Sequence, residues 1–265
     1  MSEHDKFRTP RLEGRTAIVT EARAGHRVGH GPAAGGRGFP CLHHSTKGRS
    51  VGQSRRSVPD SGVVPVAGRA DNRAHRRELL GAVIEHFGRL DILAINAGFN
   101  AVNGELVDLY LGSACKIAEV KSFGTRAWRQ NVSRRLCPQF AKRSASVMNL
   151  SPVTGQMLPR RIGFYGISSA AVAHLTGTLA VEMRPHIRVD SVAPAVIETR
   201  FAKALYEGDG AEVAVRHPLG RLGESDDVVA AGAFLASRDA AWIAGQAINL
   251  KRGNNLPPTL HDHFL

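Results

Sequence analysis

Cysteine is scarce in this chain, with only Cys41, Cys115 and Cys137 among 265 residues and no CxxC pair. That excludes a disulfide framework. Cys41 with His43 and His44, or His261 with His263, lack the four-ligand spacing of a zinc site, so no metal is expected. Long apolar runs are also missing. No stretch reads as a membrane helix, and the start, MSEHDKFRTPRLEG, lacks the apolar core of a secretory signal. These absences predict a soluble, cytoplasmic protein with no membrane partner. Aromatic residues make up 6% of the chain, and acidic residues number 23 against 35 lysines and arginines, for a net charge of +12. The basic residues do not interleave with aromatics as in single-strand or RNA readers, so a nucleic-acid partner is not expected.

What is present is an ordinary apolar fraction of 43%, enough for one full core, so residues 1–265 are expected to form a single domain. Short apolar runs at Arg15–Thr20, Phe39–His44, the VVPVAG after Gly62, Leu90–Gly98, Val147–Ser151, Ile187–Ala193 and Ala247–Leu250 read as buried strands. Helical periodicity lies between several of them. Leu79, Leu80, Val83, Ile84 and Phe87 form one face. Ala171, Val172, Leu175, Leu179, Ala180 and Met183 form another, in a helix opening at Tyr165. A third helix starts at Ser225 and Asp226, with apolar Val228, Val229, Ala231, Phe234 and Leu235. This alternation predicts an α/β fold, a single Rossmann-like doubly wound parallel sheet with helices on both faces. Two segments are poorly patterned. Residues 21–61 contain HRVGHGPAAGGR, with four glycines and a proline where a helix belongs. Residues 125–146 are strongly basic and predict an irregular, solvated stretch. Residues 254–265 read as a tail.

The segment from Asn149 to Thr199 resembles the short-chain dehydrogenase/reductase family. Asn149, Ser151, Tyr165, Ile187-Arg188-Val189, Pro194 and Thr199 match the family motifs. Pro152 stands where the second serine belongs, and Ser169 where the lysine of Y-x-x-x-K belongs. Upstream, Asn96-Ala97-Gly98 resembles the end of N-N-A-G, with Ile95 before it. Glu119–Gly124 resembles [DE]-V-N-x-x-G, which puts Lys121 at the asparagine position. In the phosphate-loop register, Gly25 is the single glycine left of three. Glu21 places a carboxylate there, while Arg23 and Arg27 bring the opposite charge.

The resemblance implies hydride transfer between a nicotinamide cofactor and a small carbonyl or alcohol, with Tyr165 passing the proton. It places the other catalytic roles on Ser169, Pro152 and Lys121, so the active site is degenerate and impaired activity is expected. Ser151 still offers a hydroxyl, although on a strand it faces away from its neighbour. Gly25, Arg23, Asp71, Asn96, Ala97, Gly98, Tyr165, Ile197 and Thr199 are the implied cofactor-binding residues. Asp71 also reads as a plain acid at a helix start. NADP is favoured slightly over NAD, because Ser45, Thr46 and Lys47 stand where NAD-preferring members carry an acid, and Arg23 can pair with a phosphate. A homodimer or homotetramer is implied as well. Lys121 has two readings, an ammonium that reaches Tyr165 or an exposed lysine on a frayed helix. The alternative to an enzyme is a non-catalytic binding or subunit protein on the same scaffold.

Overall fold

Seven short runs of apolar residues become seven parallel strands, because both faces of the sheet they form are covered. In chain order they are β1 (Ala17–Val19), β2 (Cys41–Ser45), β3 (Val63–Ala67), β4 (Ile92–Ile95), β5 (Ala145–Leu150), β6 (Ile187–Pro194) and β7 (Ala247–Leu250). The structure, a computed structural model, describes residues 12, 14–20, 41–45, 63–67, 71–96, 98, 104–141, 145–158, 161–199 and most of 202–250. The sheet runs β3-β2-β1-β4-β5-β6-β7, every pair parallel. Strand order reverses between β1 and β4. In open α/β sheets that switch point opens a crevice at the carboxyl ends of the strands.

The helices are α1 (Arg73–Phe87), α2 (Leu111–Ala118), α3 (Gly124–Ala141), α4 (Gly163–Glu182), α5 (Gly210–Val215) and α6 (Ser225–Ala236). Two of them are capped by their own sequence. The Asn72 side chain caps α1, accepting from the Ala74 and His75 amides at 2.8 and 3.2 Å. Gly88 closes α1 at φ 65°, a left-handed turn that glycine enters without penalty. Glu224 and Asp227 cap α6 reciprocally.

One face of the sheet packs Leu79, Leu80 and Val83 of α1 and Trp128 and Val132 of α3 against Ile18, Leu93, Val147 and Val189. The opposite face packs Ala233, Leu235 and Ala236 of α6 against β1, β4 and β6. At the amino end of β4, buried Asp91 accepts from the Thr16 amide at 2.9 Å and from Arg89 twice at 2.7 Å. That clamp fixes β4 beside β1.

Several expectations need correction. Residues 124–141 are helical, not irregular. Lys121, Thr125, Trp128, Arg129 and Val132 are buried at helical spacing, but three of those five are polar, so hydropathy hides the stripe. The second strand starts beyond Pro40 at Cys41, where every residue can donate to the ladder. On α4, Ala171 is exposed, and the buried face runs through Tyr165, Ser168, Ser169, Val172 and Thr176. The same helix, at 20 residues, is long and apolar enough to cross a membrane by length and composition, contrary to the expectation that no run was. Here it packs along the sheet. The tail at 254–265, His261 and His263 lie outside the described residues, as do residues 21–40 and 46–61.

Arg129 is buried on α3 with Nε and Nη1 lacking hydrogen-bond partners, and only Nη2 reaches Met183 Sδ. Burial pushes its guanidinium down to about 10, with Glu182 opposing the shift only in part. An uncompensated buried cation is destabilising, while its aliphatic stem packs well. Arg129→Met is therefore expected to raise unfolding free energy by about 1–2 kcal/mol, read from the urea midpoint at unchanged slope.

Candidate active site

The site is built where the carboxyl end of β5 meets the first turns of α4. After β5 the chain makes a single helical turn, Val153–Gly155, that packs against α4. A Cβ added at Gly155 would sit 2.5 Å from the Ala170 amide nitrogen and 2.7 Å from the Ser169 carbonyl carbon. Only glycine permits that approach. Farther along, Asn149 Nδ2 donates to Thr176 Oγ1 at 2.9 Å, tying β5 to the middle of α4. These two contacts fix the height and rotation of α4, and with them the position of Tyr165.

Tyr165 is the third residue of α4 and is 8% exposed. Lys121 Nζ lies over its ring, 3.6 Å from the centroid. Lys121 is 2% exposed, so the reading of it as a solvated lysine is overturned. It comes from a π-helical turn, Glu119–Phe123, that joins α2 to α3. A π-turn widens the helix by one residue, and such turns often mark functional positions. Thr125 Oγ1 braces the turn by donating to the Lys121 carbonyl at 2.6 Å, and Ser122 Oγ meets the Ser168 carbonyl at 3.5 Å.

The Lys121 amine also donates to Ser169 Oγ. Ser169, fully buried, donates its own hydroxyl to the Tyr165 carbonyl at 2.8 Å. With that proton committed, the Thr154 hydroxyl, 3.1 Å away, is the donor to Ser169. The serine oxygen then has both acceptor positions filled and its hydrogen used. Thr154 went unnoticed in the sequence, because no motif marks it.

Ser151 behaves differently. Its hydroxyl donates to Ser191 Oγ on β6 at 3.1 Å, so the structure does not bring it to Tyr165. Pro152 contributes no side-chain donor. Lys121, Ser169 and Tyr165 are thus brought together, and Ser151 is not.

Burial sets the electrostatics. It pushes the Lys121 amine down from the ordinary lysine value of 10.5 to about 7. It pushes the Tyr165 phenol well above its ordinary range. Both shifts disfavour the charged form.

Residues expected to hold a cofactor fall along the carboxyl edge of the sheet. The Asn96 amide donates to Thr20 Oγ1 at 3.0 Å, joining the ends of β1 and β4 at the switch point. Gly98 is exposed beside them. Ile197 bridges to Gly223, and the Thr199 carbonyl accepts from the Tyr206 hydroxyl at 3.1 Å. Asp71 pairs with Lys116 of α2 at 3.0 Å, and Lys116 also holds Glu119 at 2.7 Å. Gly25, Arg23 and Ala97 lie outside the described residues.

The Lys121 shift has a thermodynamic sign that can be tested. Between about pH 7 and the ordinary lysine value the unfolded chain keeps a proton that the folded one has released, so stability rises with pH. Below that window both states are protonated. Above about pH 10 the unfolded phenol ionises while buried Tyr165 stays protonated, and stability falls again. Lys121→Met is expected to remove about 1 kcal/mol per pH unit of the rise between pH 7 and 10. Urea denaturation at each pH measures it.

Residues 43–255 match the family described as enoyl-(acyl carrier protein) reductase. Tropinone reductase-like 3 from Erythroxylum coca is 29% identical over 247 residues, covering 92% of this chain and 94% of that protein. The short-chain dehydrogenase/reductase SDRA from Arabidopsis thaliana is 28% identical over 247 residues, with 92% and 95% covered. Among solved structures, a short-chain dehydrogenase/reductase from Brucella melitensis superposes with a TM-score of 0.84 at 20% identity, over 93% of this chain and 99% of that one. A 7-alpha-hydroxysteroid dehydrogenase complexed with NADH and 7-oxo glycochenodeoxycholic acid gives 0.82 at 23% identity, over 96% and 98%. These two support the shared fold, and the matched span supports the lineage: the chain belongs to the short-chain dehydrogenase/reductase family.

Proposed function

We propose that this protein is a nicotinamide-dependent oxidoreductase that interconverts a small carbonyl compound and its alcohol, with Tyr165 as the proton-exchanging group. The observation that carries the reading is the buried Tyr165 ring beneath the Lys121 amine, at the carboxyl edge of a sheet whose order reverses next to it. The joined ends of β1 and β4 at Thr20 and Asn96, with Thr199 beyond β6, fit a dinucleotide laid across the switch point. The bound cofactor supplies or accepts hydride. The chain's own residues seat it, hold the substrate oxygen near Tyr165 and move one proton there. NADP is the preferred form on the charge of Arg23 and Lys47.

The chemical step is slow in this reading. Desolvation raises the phenol, and Pro152 leaves the substrate oxygen without a hydroxyl from that position. A non-catalytic scaffold is the second reading, supported by the same two features. Exposed Leu111, Phe123 and Val181 leave apolar surface on α2, the π-turn and α4, which supports pairing of two copies through these helices.

The test is cofactor binding followed by turnover. NADPH is expected to give saturable thermal stabilisation, and NADPH oxidation with a panel of small ketones and aldehydes is expected to show slow reduction. Tyr165→Phe should lower kcat/KM by about 100-fold or more while leaving the NADPH affinity within about threefold, because only the phenolic proton is removed. Binding without turnover on any carbonyl favours the scaffold.

A further inference from the structure

We propose that Lys121 is the positioning cation for Tyr165: reaching across from the π-helical turn, its ammonium stabilises the phenolate, and Ser169 with Thr154 forms the seat that holds it over the ring. This rests on Tyr165 being the proton-exchanging group. The helix that carries Tyr165 offers only serine one turn on, at position 169, and a hydroxyl carries no charge to help a phenolate. The charge enters instead from a different element of the fold.

Three observations converge on the assignment. First, Nζ lies 3.6 Å from the Tyr165 ring centroid, within the range in which a cation is attracted to the π-face. Second, the amine donates to Ser169 Oγ, whose remaining capacity is filled by Thr154 and the Tyr165 carbonyl. The acceptor cannot turn away, so the amine is held in place. Third, no carboxylate competes for it among the described residues. Glu119 and Asp71, the acids on the neighbouring turn and at the start of α1, are both taken by Lys116. Around Lys121, α4 offers Tyr165, Ser168 and Ser169, the turn after β5 offers Thr154, and α3 offers Thr125. Tyr165 is the titratable group among them.

The proton balance is simple. In the reducing direction the Tyr165 O–H bond breaks and a new O–H bond forms on the substrate oxygen, as hydride from reduced nicotinamide reaches the carbonyl carbon. The phenolate left behind faces the Lys121 ammonium and regains its proton from solvent. An opposite charge at this range shifts a titration by about one to three pH units. The amine is near its own midpoint at neutrality, so the assistance is present below about pH 7 and fades above it.

The test reads turnover against pH, because Lys121 carries its proton only below about pH 7. Parent and Lys121→Met, each with its fold confirmed by a urea transition, are compared in NADPH-dependent carbonyl reduction. Lys121→Met is expected to lose about tenfold or more of kcat/KM near pH 6 and little near pH 9, where the parent amine is neutral too. The paired variant Lys121→Asn with Ser169→Lys moves the amine onto α4 one turn from Tyr165 and is expected to restore most of the loss near pH 6. A loss that is the same at both pH values, or no loss near pH 6, overturns the proposal. The Lys121 midpoint itself, followed by its 13Cε shift, is expected to fall in Tyr165→Leu as the ring face is removed, and an unchanged midpoint overturns the pairing. A fallen midpoint with no turnover in any form overturns the oxidoreductase reading and upholds the pairing of Lys121 with Tyr165.

Discussion

The site depends on how closely α4 lies against the end of β5. Gly155 sits so near the Ser169–Ala170 peptide that no side chain fits between them, and Asn149 holds Thr176 two turns farther along. A helix pinned at two heights has no freedom to roll. The ring of Tyr165 and the hydroxyl of Ser169 therefore share one side of α4, one turn apart, and face the same partner element. The meeting of Lys121 with Tyr165 and Ser169 follows from that pinning, because the amine arrives from a separate helix and needs a fixed target. A rotation of α4 by one residue, about 100°, would carry both groups away from Lys121.

The amine's own route is as constrained. Between α2 and α3 the chain could have continued as a plain helix, which would present Lys121 at a different angle. The π-turn inserts one residue, and Thr125 closes it onto the Lys121 carbonyl. Lys116, three residues before Glu119, occupies the acid that would otherwise draw Lys121 outward. Two lysines five residues apart thus have opposite fates: one is half-exposed and doubly paired with carboxylates, the other buried with a hydroxyl and an aromatic face. Sorting the acids to the outer lysine leaves the inner one available to a tyrosine.

Most of the sheet was legible from sequence because its strands are short apolar runs with nothing ambiguous at their ends. Ile92–Ile95 and Ala247–Leu250 fall within or on the expected spans. The helix at 124–141 was not legible, for a physical reason. Its buried stripe is Lys121, Thr125, Trp128, Arg129 and Val132, so the inward face scores as polar although the stems of lysine and arginine are packed as hydrocarbons. The expectation of a solvated stretch read head groups and missed stems. The π-turn was hidden as well, since a one-residue insertion leaves no trace in a motif written as fixed spacing. Tyr165 was found because a motif names it. Ser169 was found as a departure from that motif, and Thr154 was missed because its role exists only once Gly155 brings the loop against α4.

The positions that depart from the family pattern lie apart from the groups that hold the fold. None of Pro152, Ser169 or Lys121 belongs to the three apolar clusters that cover the two faces of the sheet. The fold can therefore persist whether or not the chemistry does, and similarity of fold says nothing about which. The buried amine separates the two cases. A lysine driven down to about 7 by desolvation, with no carboxylate among the described residues to repay it, works against stability at neutral pH. A scaffold free of catalytic demand gains by losing that group to any apolar residue of similar length. A site that must stabilise a phenolate gains by keeping it, since the charge is strongest where water is excluded. Placement of Lys121 over Tyr165, braced by three hydroxyls, is costly for a scaffold and useful for an enzyme, which is why the enzyme reading leads.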